Sequence, residues 1–297
     1  MKLLKFAAID IGTNAIRLLF TNVTEEAGVA TFKKSSLIRV PIRLGADVFT
    51  NGQISEIKKE KLINSLLAFS HLIDVHDVVS YRACATSAMR EAQNGPEIVK
   101  VIKDKTGIDI EIIDGKTEAE IIYSNKIAEL THPNENYLYV DVGGGSTEVT
   151  LFRNNEVQMS HSFNIGTIRM LNQKAKEEEF EHLKQWLIDL NNKKEDIKII
   201  GSGGNINKLH KMSSKKYMKP LSYKELKDLY KYIKAYSYED RIRILGLNPD
   251  RADVIIPASK LFLKIMKWSD AKHILVPKFG VADGLVRQLY KDFSEKN

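Results

Sequence analysis

Cysteine is almost missing from this chain: Cys84 is the only one in 297 residues. No disulfide can form within it, and a reducing compartment is expected. Cys84 lies among apolar and small residues, the setting of a buried, inert thiol rather than a nucleophile. Long apolar runs are missing too. No stretch approaches the roughly 18 apolar residues of a membrane span. Asp10 interrupts the apolar stretch behind Lys2 and Lys5 before it reaches the length of a secretory signal. The expectation is a cytoplasmic protein that does not engage membranes. No second histidine or cysteine stands at zinc spacing from His132, which reads as a solvated loop residue.

What is present is ordinary for a globular protein: 43% apolar and 28% charged residues. Basic residues outnumber acidic ones 45 to 38, a net charge of +7. Such a surface favours encounter with polyanions, but charge alone does not choose nucleic acid over any other. The length exceeds one simple core and suits two domains.

The stretch from Tyr137 to Phe152 organises the rest. It reads as an apolar strand ending in Asp141, a turn made of Gly143, Gly144 and Gly145, and a strand running back through Glu148. Successive glycines let the backbone approach a ligand closely. Their amides, with the Ser146 and Thr147 hydroxyls, can hold phosphate oxygens. Asp141 and Glu148 are the hard oxygen ligands that Mg²⁺ prefers. The device recurs without a gap at Phe6–Phe20, where Asp10, Gly12 and Arg17 fall on Asp141, Gly143 and Glu148. Thr13 and Asn14 complete that first turn. Arg17 suits either a phosphate contact or an ion pair within the hairpin.

Two such hairpins, one in each half, resemble the actin-like ATPase and sugar-kinase superfamily. Finer motifs are similar to the exopolyphosphatase and guanosine pentaphosphate phosphohydrolase (Ppx/GppA) family. They are Asp10–Asn14, Arg43-Leu-Gly45, Ala85–Asn94, Ile113–Ala119, Asp141–Glu148, Gly166-Thr-Ile-Arg169, Gly201–Gly204 and Arg251-Ala-Asp253. The resemblance implies an α/β fold of two ribonuclease H-like (actin-like ATPase) domains with an active-site cleft between them. The domains would be 1–124, joined by the C-terminal helix 283–297, and 125–282. It implies a homodimer as well. It also implies a phosphoanhydride hydrolase that uses Mg²⁺ (or Mn²⁺) held by Asp141 and Glu148, with Glu118 as general base. Inorganic polyphosphate is the favoured substrate, and nucleic acid is not expected as a partner. Guanosine pentaphosphate is the alternative substrate, and a non-catalytic polyphosphate or alarmone sensor is the alternative of another class. A departure accompanies the match: relatives carry two adjacent glutamates, then alanine and arginine, where this chain has Thr117, Glu118, Ala119 and Glu120.

Other residues read in order. Arg43-Leu-Gly45 falls in a loop, and Ser55–Val75 forms a helix with Ser55 as its N-cap. Asp77–Tyr81 is a short strand. Arg90 either clamps phosphate with its planar fork or pairs with Glu91 or another acid, and Thr86 either binds phosphate or caps a helix. Thr117 and Glu120 match a capping box that starts a helix over 117–130. The strand at Ile197–Ile200 feeds the loop Gly201, Ser202, Gly203, Gly204, Asn205 and then a helix, an arrangement that offers amides to an anion. This loop, with Lys208, is the candidate for the distal part of the substrate. Lys211, Lys215, Lys216 and Lys219 extend the positive run, which equally suits a solubilising loop.

Overall fold

The computed structural model describes residues 2–26, 28–123, 135–154, 156–191 and 196–296. They form two compact units, Met1–Asn125 with Gly280–Asn297, and Lys126–Phe279.

The first unit holds a five-stranded sheet in the order β3-β2-β1-β4-β5. Its strands are β1 (Lys2–Ile11), β2 (Ile16–Glu26), β3 (Val29–Val40), β4 (Ser80–Ala85) and β5 (Ile110–Ile112). β1 is antiparallel to β2 and parallel to β4, which is parallel to β5. Phe6, Ala7, Ala8 and Ile9 are all buried, as befits a central strand covered on both faces. Helices α1 (Leu44–Asn51), α2 (Glu56–Val75), α3 (Ser87–Glu91), α4 (Gly95–Thr106) and α5 (Gly115–Tyr123) connect or cover the strands. Leu62, Leu66, Phe69 and Ile73 give α2 its buried stripe. The C-terminal helix Val281–Lys296 packs on β1, β4 and α5.

The second unit holds a six-stranded sheet in the order β10-β11-β9-β6-β7-β8. These are β6 (Asn136–Val142), β7 (Thr147–Arg153), β8 (Glu156–Phe163), β9 (Ile197–Ser202), β10 (Leu221–Ser222) and β11 (His273–Leu275). An antiparallel run β6-β7-β8 is followed by parallel β9 and β11. This repeats the plan of the first sheet and adds β10 at one edge. The likeness extends to irregularities. β2 and β3 slip register between Phe20 and Thr21, and β7 and β8 slip between Leu151 and Phe152, the same distance past each aspartate. The core is closed by α6 (Thr167–Leu171), α7 (Glu177–Asn191), α8 (Gly204–Met212), α9 (Tyr223–Lys234), α10 (Tyr238–Arg243), α11 (Pro249–Ala252) and α12 (Ile255–Trp268). Ala258, Leu261, Phe262 and Ile265 bury the inward stripe of α12. Each large side chain among them is worth about 1.5–3 kcal/mol of burial.

Several sequence expectations are corrected here. Leu44–Asn51 is a helix, not part of a loop, because its first amides are fastened to the Thr13–Asn14 turn. The strand expected at Asp77–Tyr81 runs from Ser80 to Ala85, after a turn in which Asp77 takes a left-handed φ of 50°. Ser55 stands at the N-cap of α2, but its hydroxyl makes no capping bond. The helix expected from Thr117 begins at Gly115, capped by Asp114, which accepts from the Thr117 amide at 2.7 Å. Glu120 does not reach back; its side chain is 62% exposed and faces Lys116 one turn earlier. The rest of the helix predicted to 130, with the His132 linker, lies outside the described residues.

Candidate active site

Both hairpins turn in the same way. The Gly12 amide donates to the Ala15 carbonyl at 3.2 Å, and the Gly143 amide donates to the Ser146 carbonyl at 3.0 Å. Cross-strand register sets Asp10 opposite Arg17 and Asp141 opposite Glu148, so each pair shares a face of its sheet. In the first hairpin, Arg17 forms an ion pair with the buried Asp10 carboxylate. In the second, both members are acidic.

The glycine turn of the second unit is held by its carbonyls. Gly143 accepts from the Thr167 amide at 3.0 Å, and Gly144 accepts from the Ile168 and Arg169 amides at 2.8 and 3.2 Å. Gly145 accepts from Arg169 Nε at 2.8 Å. Among the described residues all peptide bonds are trans. In a planar trans peptide the N–H opposes the C=O, so the amides of Gly144, Gly145 and Ser146 all point away from α6. Three successive amides on one side make an anion-binding concavity. Gly166 permits this docking, since a Cβ there would lie 2.3 Å from the Gly144 carbonyl group. The first unit repeats the device with α1: Gly45 donates to the Thr13 carbonyl at 3.0 Å, and Arg43 to that of Asn14 at 2.9 Å.

The hydroxyls do not act as the sequence suggested. Ser146 Oγ donates to Glu148 Oε1 at 2.6 Å, and Thr147 Oγ1, fully buried, donates to the Ile165 carbonyl. Both hydroxyl protons are therefore committed within the protein. Ser162, unmarked in the sequence reading, also donates to Glu148 Oε1, at 3.0 Å. Two hydroxyl donors orient this buried carboxylate.

Parallel pairing aligns the carboxyl ends of β1, β4 and β5, where ligands gather in open α/β sheets. The Thr86 amide donates to the Ile11 carbonyl, and the Ile113 amide to that of Ala85. The turn 12–15, the segment 86–90 and the start of α5 thus lie at one end of the first sheet. Glu118 closes the first turn of α5 and is 7% exposed. Gly284 of the C-terminal helix sets how closely α5 is packed, since a Cβ there would fall 1.9 Å from the Ile121 carbonyl oxygen. Arg90 donates through Nη1 to the Ile113 carbonyl at 2.7 Å, while Glu91 accepts from Ser87. Neither sequence reading foresaw that bond. Asn94 has a structural task, bonding both the amide and the carbonyl of Ile54. The Thr117 backbone and side-chain bonds hold the Asp114 carboxyl below the usual range, helped by the nearby charges of Arg90 and Lys116.

In the second unit, β6 and β9 set Asp141 beside Ser202. The Gly203 backbone, at φ 107°, lies so close that a Cβ would meet Asp141 Oδ1 at 3.1 Å and the Val142 carbonyl at 2.9 Å. The third glycine loop therefore adjoins the acidic pair. Not all of it faces a ligand: Gly201 packs on Ile274, and the buried Ser202 hydroxyl donates to the Phe279 carbonyl at 3.0 Å. The Gly201 Cα and the Ser202 hydroxyl are thus turned to packing, and the backbone of Gly203 and Gly204, with Asn205, lies nearest the acidic pair. Lys208 lies one turn on, its ammonium pushed below the ordinary lysine range by burial and by Lys211 and Arg251.

Asp141 and Glu148 fit a divalent ion. Two carboxylates on one face suit Mg²⁺, which completes its shell with water and phosphate oxygens rather than an all-protein cage. Among the described residues, no group of three or more His, Cys, Asp or Glu is arranged as such a cage.

Comparison with known proteins bears on this arrangement. The model of the Ppx/GppA phosphatase family matches residues 25–293. The chain belongs to that family. The bifunctional 3-dehydroquinate synthase/phosphatase of Fusobacterium nucleatum is 32% identical over 296 aligned residues, covering 91% of this chain and 44% of that protein. Exopolyphosphatase 2 of Mycobacterium tuberculosis is 33% identical over 177 residues, covering 57% of this chain and 54% of its own length. The chain thus spans about half the length of these curated relatives. Among solved structures, an exopolyphosphatase from Cytophaga hutchinsonii superposes with a TM-score of 0.82 at 25% identity, covering 97% of this chain and 98% of that one. The Aquifex aeolicus Ppx/GppA family member gives 0.75 at 25% identity, with both chains covered completely. Ppx/GppA membership fits the two-domain actin-like α/β plan seen in the paired sheets. Among the described residues no helix is long and apolar enough to cross a membrane.

Proposed function

We propose that this Ppx/GppA chain hydrolyses terminal phosphoanhydride bonds of inorganic polyphosphate with the help of a divalent cation. The observation that carries the reading is the glycine turn at 143–146, whose Gly143, Gly144 and Gly145 carbonyls are fastened to α6 so that three amides face the opposite way beside Asp141 and Glu148. A relative named exopolyphosphatase supports the substrate class, as does the basic balance of +7.

The turn amides of residues 144–146 hold the oxygens of the terminal phosphoryl group, and Arg90 adds donors from the nitrogens not engaged by Ile113. Asp10, Thr13 and Asn14 belong to the second phosphate-binding turn. Asp141 and Glu148 hold Mg²⁺ or Mn²⁺, which when bound supplies charge neutralisation to the transferred group. Glu118 orients the attacking water and takes its proton. A new P–O bond forms to that water, the bridging P–O bond breaks, and the shortened polyphosphate leaves with the electron pair. Gly203, Gly204, Asn205 and Lys208 receive more distant phosphates.

Phosphate release from long polyphosphate, guanosine pentaphosphate and ATP, each with Mg²⁺ or EDTA, tests this. Metal-dependent release with polyphosphate preferred is the expected result. Preference for the pentaphosphate would reassign the substrate, and binding of polyphosphate without turnover of any substrate would make the chain a sensor.

A further inference from the structure

The Thr13–Asn14 turn is supported, through Arg43, by Lys58, a residue outside every motif. Arg43, whose amide bonds the Asn14 carbonyl, is left-handed at φ 59° and ψ 49°, a region that a bulky side chain disfavours. Its own carbonyl accepts from Lys58 Nζ at 2.7 Å. Lys58 also pairs with Asp47 of α1, and both side chains are only 18% exposed. Asp47 further accepts from the Ser55 amide at 3.1 Å. Burial raises the Asp47 carboxyl, but the Lys58 and Ser55 donors outweigh it and hold the group below its ordinary value. One ammonium thus joins α1, α2 and the strained Arg43 peptide.

The consequence reaches the turn directly. Because the Thr13 and Asn14 carbonyls are held by Gly45 and Arg43, the Asn14 and Ala15 amides point the opposite way. If Arg43 leaves the left-handed region, that orientation is lost with it.

We infer that Lys58 is a positioning residue for phosphate binding, holding Arg43 left-handed so that the 12–15 turn keeps its amides aimed at a phosphate. The inference rests on the phosphoanhydride reading above. Lys58 touches no substrate; it raises the fraction of molecules whose turn is competent. Loss of a competent fraction weakens apparent affinity in proportion, while bound substrate restores the competent form. KM should therefore move and kcat should not.

The test compares wild type, Lys58→Met, Arg43→Gly and the double variant, with Asp47→Asn as a second way to release the ammonium should Lys58→Met not fold. KM and kcat on polyphosphate with Mg²⁺, the tripolyphosphate Kd by calorimetry, and Tm are read for each. Lys58→Met should raise KM and Kd about five- to thirtyfold, the span set by a left-handed penalty, with kcat within about twofold. Glycine takes the left-handed conformation at no cost, so in the Arg43→Gly background the same change should shift Kd by less than about twofold. An equal shift in both backgrounds, or a fall in kcat at constant KM, overturns the inference. Wild type that binds tripolyphosphate but releases no phosphate overturns the hydrolase reading alone, because the Kd comparison still judges Lys58. Wild type that does neither overturns both.

Discussion

Glu148 stands directly opposite Asp141 across the second hairpin, acid in register with acid, where the first hairpin pairs Asp10 with Arg17. Like charges in such register are unfavourable unless a cation joins them. Glu148→Gln should therefore be at least as stable as wild type in EDTA. It should lose most of the rise in Tm that Mg²⁺ gives wild type, and its half-saturating Mg²⁺ concentration in the phosphate-release assay should rise about tenfold or more. Glu148→Arg, which copies the first hairpin, should remove the Mg²⁺ response altogether. Thermal scans across a Mg²⁺ titration decide this without relying on turnover; an unchanged response in Glu148→Gln would take the ion elsewhere.

Glu118 is buried in the first turn of α5, at a point fixed by the Asp114 cap and by the close approach of Gly284 to Ile121. As the proposed base, its replacement by glutamine should lower kcat by about 10²–10⁴-fold. Tripolyphosphate affinity should stay within about threefold, since the isosteric amide leaves the phosphate donors in place. Steady-state kinetics with calorimetry on the same preparation checks both halves. Full turnover in the variant would remove Glu118 from the chemistry.

Two glycines let the two turns dock on the helices that follow, but their replacements should not be equal. A Cβ on Gly166 would press on the backbone of Gly144 and Gly145 at 2.3 to 2.4 Å, whereas one on Gly45 would meet side-chain atoms, Thr13 Cγ2 at 2.2 Å and the Phe49 ring at 2.7 Å. Side chains can rotate away; a turn held by its carbonyls cannot. Gly166→Ala should cost about 2 kcal/mol or more of stability and raise KM steeply, while Gly45→Ala should cost less than about half of that. Chemical denaturation of the two variants side by side gives the comparison.

Much of this was legible in the sequence for a definite reason. An aspartate two residues before a glycine turn is a local signal, and its recurrence set Asp10, Gly12 and Arg17 against Asp141, Gly143 and Glu148; the pairing of Asp10 with Arg17 and of Asp141 with Glu148 across each hairpin came only with the structure. What was not legible depends on partners distant in sequence. The helix Leu44–Asn51 exists because the Thr13 and Asn14 carbonyls take its first amides, and nothing local announces that. The start of α5 was misread because Thr117 and Glu120 match a capping box, yet Asp114 stands three residues earlier and reaches the Thr117 amide first. The hydroxyls of Ser146 and Thr147 look like phosphate ligands in a sequence; only packing reveals that they already serve Glu148 and Ile165.

Cys84 tests the burial of β4 directly. Burial pushes its thiol up to about 12, against a smaller opposing pull from Arg82. At about pH 8 the thiolate is then a negligible fraction, and reaction requires unfolding. Native protein should resist iodoacetamide for hours while the same protein in guanidinium reacts within minutes, as read by intact mass. Rapid labelling of the native chain would mean that β4 is not the closed inner strand described.

The loop that follows α8 is closed by a charge whose effect has a definite sign with pH. Glu225 completes a capping box with Ser222 and pairs with Lys215 at 2.8 Å. The Lys215 ammonium and the Ser222 amide and hydroxyl hold its carboxyl down at about 2. A folded value below the unfolded one means that the anion favours folding above the ordinary carboxylate range, and that this contribution is lost as the pH falls through the folded value. Glutamine at 225 can keep the capping geometry without the charge. The Tm difference between wild type and Glu225→Gln should therefore hold steady from about pH 7 to pH 5, shrink below about pH 4.5, and close near pH 2. Because the Glu225 side chain is 42% exposed, salt should narrow the difference at neutral pH as well. A difference that grew on acidification would reverse the sign and place Glu225's stabilising form in the protonated state.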